Sequence, residues 1–182
     1  MKIRLLILNF FLTSTFCVIA QNSNWILTSA AVNFKIKNAG FTVDGRFDSP
    51  QTTIQFDGSK GFGNIIEATI EAKSINTNIA TRDGHLKKEE YFDVQKFPKI
   101  IMKATLFSKE NGGGYKGFFK LTIKGNSKDF FVPFTFIEKD GVGAFKASFN
   151  INRLDYNIGK PSMILSNQVN ISIDLNVKRN GV

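Results

Sequence analysis

From Val32 onward, apolar and polar residues alternate with period two in short runs. Val32-Asn33-Phe34-Lys35-Ile36-Lys37 is strict, and Ile54-Gln55-Phe56 and Ile66 to Ala72 follow the same rule. Ile100 to Leu106, Phe119 to Ile123, Phe130 to Phe136, Phe145 to Ile151 and Val169 to Val177 continue it. This period puts every second side chain on one face of a strand. Turn formers separate the runs: Asp57-Gly58, Asn111 to Gly114, Lys124-Gly125-Asn126 and Asp140-Gly141. About eight strands at near-regular spacing, joined by hairpin-like links, predict an all-β antiparallel barrel or sandwich.

One face of these runs is rich in rings. Phe34, Phe56, Phe119, Phe130, Phe134, Phe136 and Phe149 fall on it. With them fall Ile36, Ile66, Ile70, Ile100, Met102, Leu121, Ile123, Val132, Ile151, Val169, Ile171, Ile173 and Leu175. Such a face makes either a packed core or the lining of a lumen. An eight-stranded barrel is near the size at which side chains fill the inside or leave room for one small molecule. Periodicity alone does not choose between the two.

Residues 82–98, RDGHLKKEEYFDVQKFP, break the alternation. They read as a short amphipathic helix with Thr81 or Asp83 at its start, presenting Leu86, Tyr91 and Phe92 to an apolar surface. Phe97-Pro98 ends the segment and begins the next strand. A lid or plug across a barrel opening fits this pattern. His85 is the sole histidine of the chain. A general base needs an orienting partner and a nucleophile or water. The sequence has no Gly-x-Ser-x-Gly elbow, no His-Glu-x-x-His pair and no phosphate loop. Binding, not catalysis, is the expectation, with a structural role for His85.

The N-terminus modifies this picture. Lys2 and Arg4 precede an apolar run, Leu5 to Leu12, broken only by Asn9, and Val18-Ile19-Ala20 stands before Gln21. This is the pattern of a cleaved secretory signal over residues 1–20, too short to span a bilayer, and it leaves one domain over 21–182. A periplasmic or secreted location follows as an expectation, with no stable membrane insertion after cleavage. The one cysteine, Cys17, would leave with the signal, so neither a disulfide nor a thiolate metal site is expected. Phe16 before it argues against lipid attachment. The formal net charge of +9 permits attraction to anionic surfaces. Lysines scattered on outward strand positions read more simply as solubilising, and no nucleic-acid partner is expected.

The chain then resembles a known family. Arg82-Asp-Gly-His-Leu86 followed by Tyr91-Phe92-Asp93-Val94-x-x-Phe97-Pro98-x-Ile100 is similar to the signature of the YceI-like proteins. Phe34-x-Ile36-x-Asn-Ala-Gly40-Phe-x-Val43-x-Gly45-x-Phe47 resembles their opening strand pair. Ile70-x-Ala-x-Ser74-Ile75-x-Thr77 resembles the stretch before their helix. Leu121-Thr-Ile123-x-Gly125 and Phe149-x-Ile151-Asn-Arg153-x-Asp155-Tyr-x-Ile158-Gly159 resemble later blocks. Asn38 stands where many members carry a histidine, so head-group preference is expected to differ here.

The resemblance implies an eight-stranded antiparallel lipocalin-like barrel with one short helix near its opening. It implies a long-chain isoprenoid ligand, such as an isoprenoid quinone or a polyprenyl lipid, and no cofactor. On that reading Phe34, Ile36, Phe56, Ile66, Ile70, Leu86, Phe92, Ile100, Met102, Phe119, Leu121, Phe130, Val132, Phe134, Phe136, Phe149, Ile151, Val169, Ile171 and Ile173 line the tunnel. Asn38, His85 and Arg153 serve the head group or the structure, and Arg153 is expected to pair with a carboxylate and brace the loop to Gly159. Two other functions compete: sequestration of amphiphilic small molecules such as fatty-acid derivatives or antibiotics under envelope stress, and an enzyme acting on a lipid head group through His85. Edge strands and the lid are candidate surfaces for a homodimer.

Overall fold

A computed structural model describes residues 24–180. Residues 1–20, read above as a signal peptide and including Cys17, fall outside them. The described residues form nine strand segments: β1 (Asn24–Asn38), β2 (Phe41–Phe47), β3 (Gln51–Gln55), β4 (Ile65–Glu71), β5 (Lys99–Lys109), β6 (Tyr115–Ile123), β7 (Asn126–Lys139), β8 (Val142–Asn152) and β9 (Leu165–Arg179). Every neighbouring pair is antiparallel, and β9 returns to β1 from Trp25↔Arg179 to Asn38↔Leu165, which closes the sheet into a barrel.

The nine segments make eight staves. β2 and β3 lie end to end along the same side of β1, with Val32 opposite Phe47 and Trp25 opposite Ile54. Pro50, in the break between them, has no N–H to give to a ladder. The alternation does not single out β2. Its inward row runs Phe41, Val43, Gly45, Phe47, and a glycine in an apolar row weakens the signal.

Above the break β2 and β4 part, and residues 72–98 fill the space. This segment holds a 3-10 turn (Ala72–Ser74), the helix α1 (Ala80–Leu86) and a run of turns. Arg46 and Asn76 exchange two backbone hydrogen bonds of 2.9 Å, and the Ala72 N–H donates to the Pro98 carbonyl at 2.7 Å. The start of α1 differs from the expectation. Ile79 is its N-cap, without a side-chain bond. Asp83 turns back and accepts from the Thr77 N–H at 2.9 Å and from the Thr77 hydroxyl. Thr77 is buried, so its donors need that carboxylate more than the helix end does.

Glycines admit rings to the inner face. A Cβ on Gly143 would lie 2.7 Å from the Phe136 ring and 3.0 Å from Val177, which is fully buried. Gly143→Ala should therefore cost about 1–3 kcal/mol by overpacking. Gly61→Ala, with nothing within 4 Å, should fall within about 0.5 kcal/mol of wild type. Urea unfolding of the two variants checks this, and equal midpoints would refute the ring contact as a constraint.

Candidate functional site

The inside of the barrel divides into a solid end and a hollow one. At the end where β1 begins and β9 finishes, Phe56 is 1 % exposed and meets Phe107, Tyr115, Phe134, Phe136 and Phe145 edge-on. Trp25 packs on Phe136, and its indole N–H donates to the Phe56 carbonyl at 2.9 Å. Rings in T-shaped contact fill this end.

Beyond Phe134 and Phe145 the interior opens into a cavity of about 240 Å³. One buried water needs only about 10–15 Å³ on the same scale, so this is no packing defect. Phe34, Ile36, Ile66, Ile70, Leu86, Phe92, Ile100, Met102, Phe119, Leu121, Val132, Phe134, Phe149, Ile151, Val169, Ile171 and Ile173 line it, together with Asn38 and Arg153. Val32, Val43, Phe47, Pro50, Ile75, Thr77, Arg82, Tyr91 and Ile158 also face it. Most of these stand outside the alternating runs, and only the topology brings them to the wall.

Three residues expected to line the tunnel lie elsewhere, and so does His85, expected to serve the head group or the structure. Phe56 and Phe136 belong to the solid aromatic end. Phe130 packs on Phe149 with ring centroids 5.5 Å apart and does not line the cavity. His85 is exposed on α1 and does not reach the cavity. All three phenylalanines have the inward parity; parity places a ring inside the barrel but not at a given height along it.

The segment over the open end is a fixed wall. The Lys124 ammonium donates to the carbonyls of Glu89 at 2.6 Å and Asn157 at 2.9 Å. The Gly159 N–H donates to the Glu90 carbonyl at 2.9 Å. Leu86, Tyr91 and Phe92 are thereby held against the cavity. Arg82 donates from Nε to the Thr77 hydroxyl and from Nη2 to the Thr77 carbonyl, both at 2.7 Å.

Arg153 braces the loop as expected, but with a different partner set. It follows β8 in a 3-10 turn (Arg153–Tyr156) and is 2 % exposed. Its guanidinium donates to the carbonyls of Ser166 (2.9 Å), Ile158 (2.8 Å), Lys160 (2.8 Å) and Leu165 (3.4 Å) and to Asn167 Oδ1 (3.0 Å). No carboxylate pairs with it among the described residues, and Asp155 is exposed. Main-chain oxygens solve the problem of burying a planar cation by surrounding it with dipoles. Burial still depresses its pKa. In the same turn, burial pushes the Tyr156 phenol up to about 12, aided by Asp155 and Asp129.

A model of the YceI-like domain matches residues 26–177. A UPF0312 protein of Yersinia pestis is 31% identical over 140 residues, covering 71% of this chain and 70% of its own length. The crystal structure of Burkholderia cenocepacia BcnA superposes with a TM-score of 0.77 at 22% identity, over 81% of this chain and 95% of that one. A structure described as a polyisoprenoid binding domain from Saccharophagus degradans superposes with a TM-score of 0.67 at 15% identity, over 87% and 99%.

Arg153→Met should lower stability by about 3 kcal/mol, because it strands several inward carbonyls without a donor. The folded fraction should keep most of its affinity for an apolar ligand. Unchanged stability with abolished binding would make Arg153 a ligand contact instead. Tyr156 gives a pH signature. Its folded pKa lies above the ordinary value of 10, so its contribution is complete below about pH 10 and is lost as pH rises toward 12. The melting temperature of wild type should fall more steeply across that window than that of Tyr156→Phe; parallel curves would contradict the assignment.

Proposed function

The chain belongs to the YceI-like family, and from that premise we propose that it is a periplasmic protein that holds a long-chain isoprenoid lipid in its barrel. The observation that carries the reading is the cavity: one end is sealed by rings, and the walls are branched aliphatic and aromatic side chains. The Saccharophagus neighbour, described as a polyisoprenoid binding domain, supports the ligand class. The signal-like pattern of residues 1–20 supports the compartment.

Binding is the reading rather than catalysis, since His85 stands outside the cavity. Tail burial of several hundred Å² is worth roughly 10 kcal/mol gross at about 25 cal/mol per Å². Ordering a flexible tail and losing translation offset about half of it or more. Arg82, Arg153 and Asn38 face the cavity, and its lining includes no aspartate or glutamate. Arg153 has committed its donors to the loop and β9, and Arg82 gives Nε and Nη2 to Thr77, so the remaining Arg82 nitrogen and Asn38 are the groups to meet a head group. That environment suits a phosphate or a quinone carbonyl better than an amine. An apolar tube selects length and width more than identity, so sequestration of mixed amphiphiles is the second reading.

Protein purified from the periplasm of its own host should begin at Gln21 and carry a uniform isoprenoid adduct in native mass spectrometry. Geranylgeraniol should raise its melting temperature by mass action. A mixed set of adducts would favour general sequestration. No adduct and no thermal shift would end the lipid-binding reading.

A further inference from the structure

The wall between β7 and β8 is incomplete. β6 pairs with β7 along its length from Asn126 to Phe134, whereas β8 pairs with β7 only from Lys139↔Val142 to Phe134↔Ala147 among the described residues. The hairpins at both ends of β7 say why. Lys124-Gly125 and Asp140-Gly141 are two-residue turns with positive φ at both positions. In such a turn the flanking residues form a hydrogen-bonded pair. Asn126 therefore bonds toward β6 and Lys139 toward β8, and the alternation between them is unbroken. Odd-numbered residues of β7 point their backbone groups at β8. The next rung after Thr135 is Pro133 against Ser148, and proline has no N–H to make it.

From there to Ser127 the two strands run unpaired, for at most about 20 Å at roughly 3.3 Å per residue. Phe134↔Ala147 bounds the opening at one end. At the other, Asn126 Nδ2 donates to the Tyr156 carbonyl at 3.3 Å. On the β8 side Asn170 draws away Asn150 (3.1 Å) and Ser148 (3.5 Å), both toward β9.

Two side chains show that this opening meets solvent. Lys128 faces Leu121 across the β6–β7 ladder and so has inward parity, yet it is exposed and does not line the cavity. Phe130 is half-buried without lining the cavity, and its ring covers Phe149, which does line it. Outside, on the β7 side of the opening, Phe131 is 61 % exposed and meets Phe118 at 4.9 Å, which makes that part of the lip apolar. The segment over the barrel end, by contrast, is pinned by Lys124 and Gly159.

We propose that the gap between β7 and β8, set by Pro133 and covered by the Phe130–Phe149 ring pair, is the lateral passage by which an apolar chain enters and leaves the cavity. This rests on the lipid-binding reading and adds its route. Swinging the Phe130 ring aside joins the cavity to the apolar lip at Phe131 without undoing a backbone ladder.

The test uses all-trans-retinol, a fluorescent isoprenoid alcohol, in stopped-flow uptake and release with the purified chain. Pro133→Thr restores the missing donor and should slow uptake and release together by about ten-fold, leaving Kd within about two-fold, as expected of a gate. Phe130→Ala should speed both. Hydrogen exchange of the backbone amide that Pro133→Thr introduces reports whether the rung has formed. Protection of that amide together with wild-type rates overturns the passage. So do unchanged rates in Phe130→Ala, whatever happens at the rung. If wild type binds neither retinol nor geranylgeraniol, the lipid-binding reading itself falls; if it binds and the variants leave the rates unmoved, only the route falls.

Discussion

The contact on which the cavity depends is that of one ring, Phe56, with the rings around it. An eight-stave barrel must either fill its lumen or leave it hollow. Here five rings converge on Phe56 at 5.1–5.6 Å between centroids, which converts an open tube into a blind one. Above it the inward positions are mainly isoleucine, valine and leucine. Around the cavity these side chains share the wall with Phe34, Phe47, Phe92 and Phe149, and no ring there is surrounded by five others as Phe56 is.

The open end meets a different constraint, since the chain must cross it with irregular backbone whose polar groups need partners. Arg153 supplies donors to carbonyls on the loop and on β9, and Lys124 supplies them to the covering segment and to Asn157. Two cations thus act as main-chain donors at points where no strand is available. The cavity acquires a rigid rim, with Arg82 held to Thr77 in it.

Much of this was legible in the sequence. Period-two alternation located the second half of β1, the end of β3 and the staves from β4 onward, and the turn residues separated them. It passed over β2, whose Gly45 interrupts an apolar row so that the Phe34 ring can lie over it. The family-like blocks supplied that strand and Arg153. Parity put Phe56, Phe136 and Phe130 on the inner face correctly as direction, but it carries no information on depth. Depth follows from register, which is a property of pairs of strands. For the same reason Arg153 looked like half of an ion pair: Asp155 is close in sequence, while Ser166 and Asn167 come to it only through the fold.

The closure of the first strand on the last has a consequence for how the protein is made. Thr28 donates to the Asn176 carbonyl across 148 positions of sequence. Contacts this distant raise the contact order of the chain, which slows folding. β9 also brings Ser166 and Asn167 to Arg153, so a chain whose last strand is undocked has neither a sealed wall nor a finished rim. The hollow therefore exists only with β9 docked on both of its neighbours, and peeling away β9 alone is enough to abolish it.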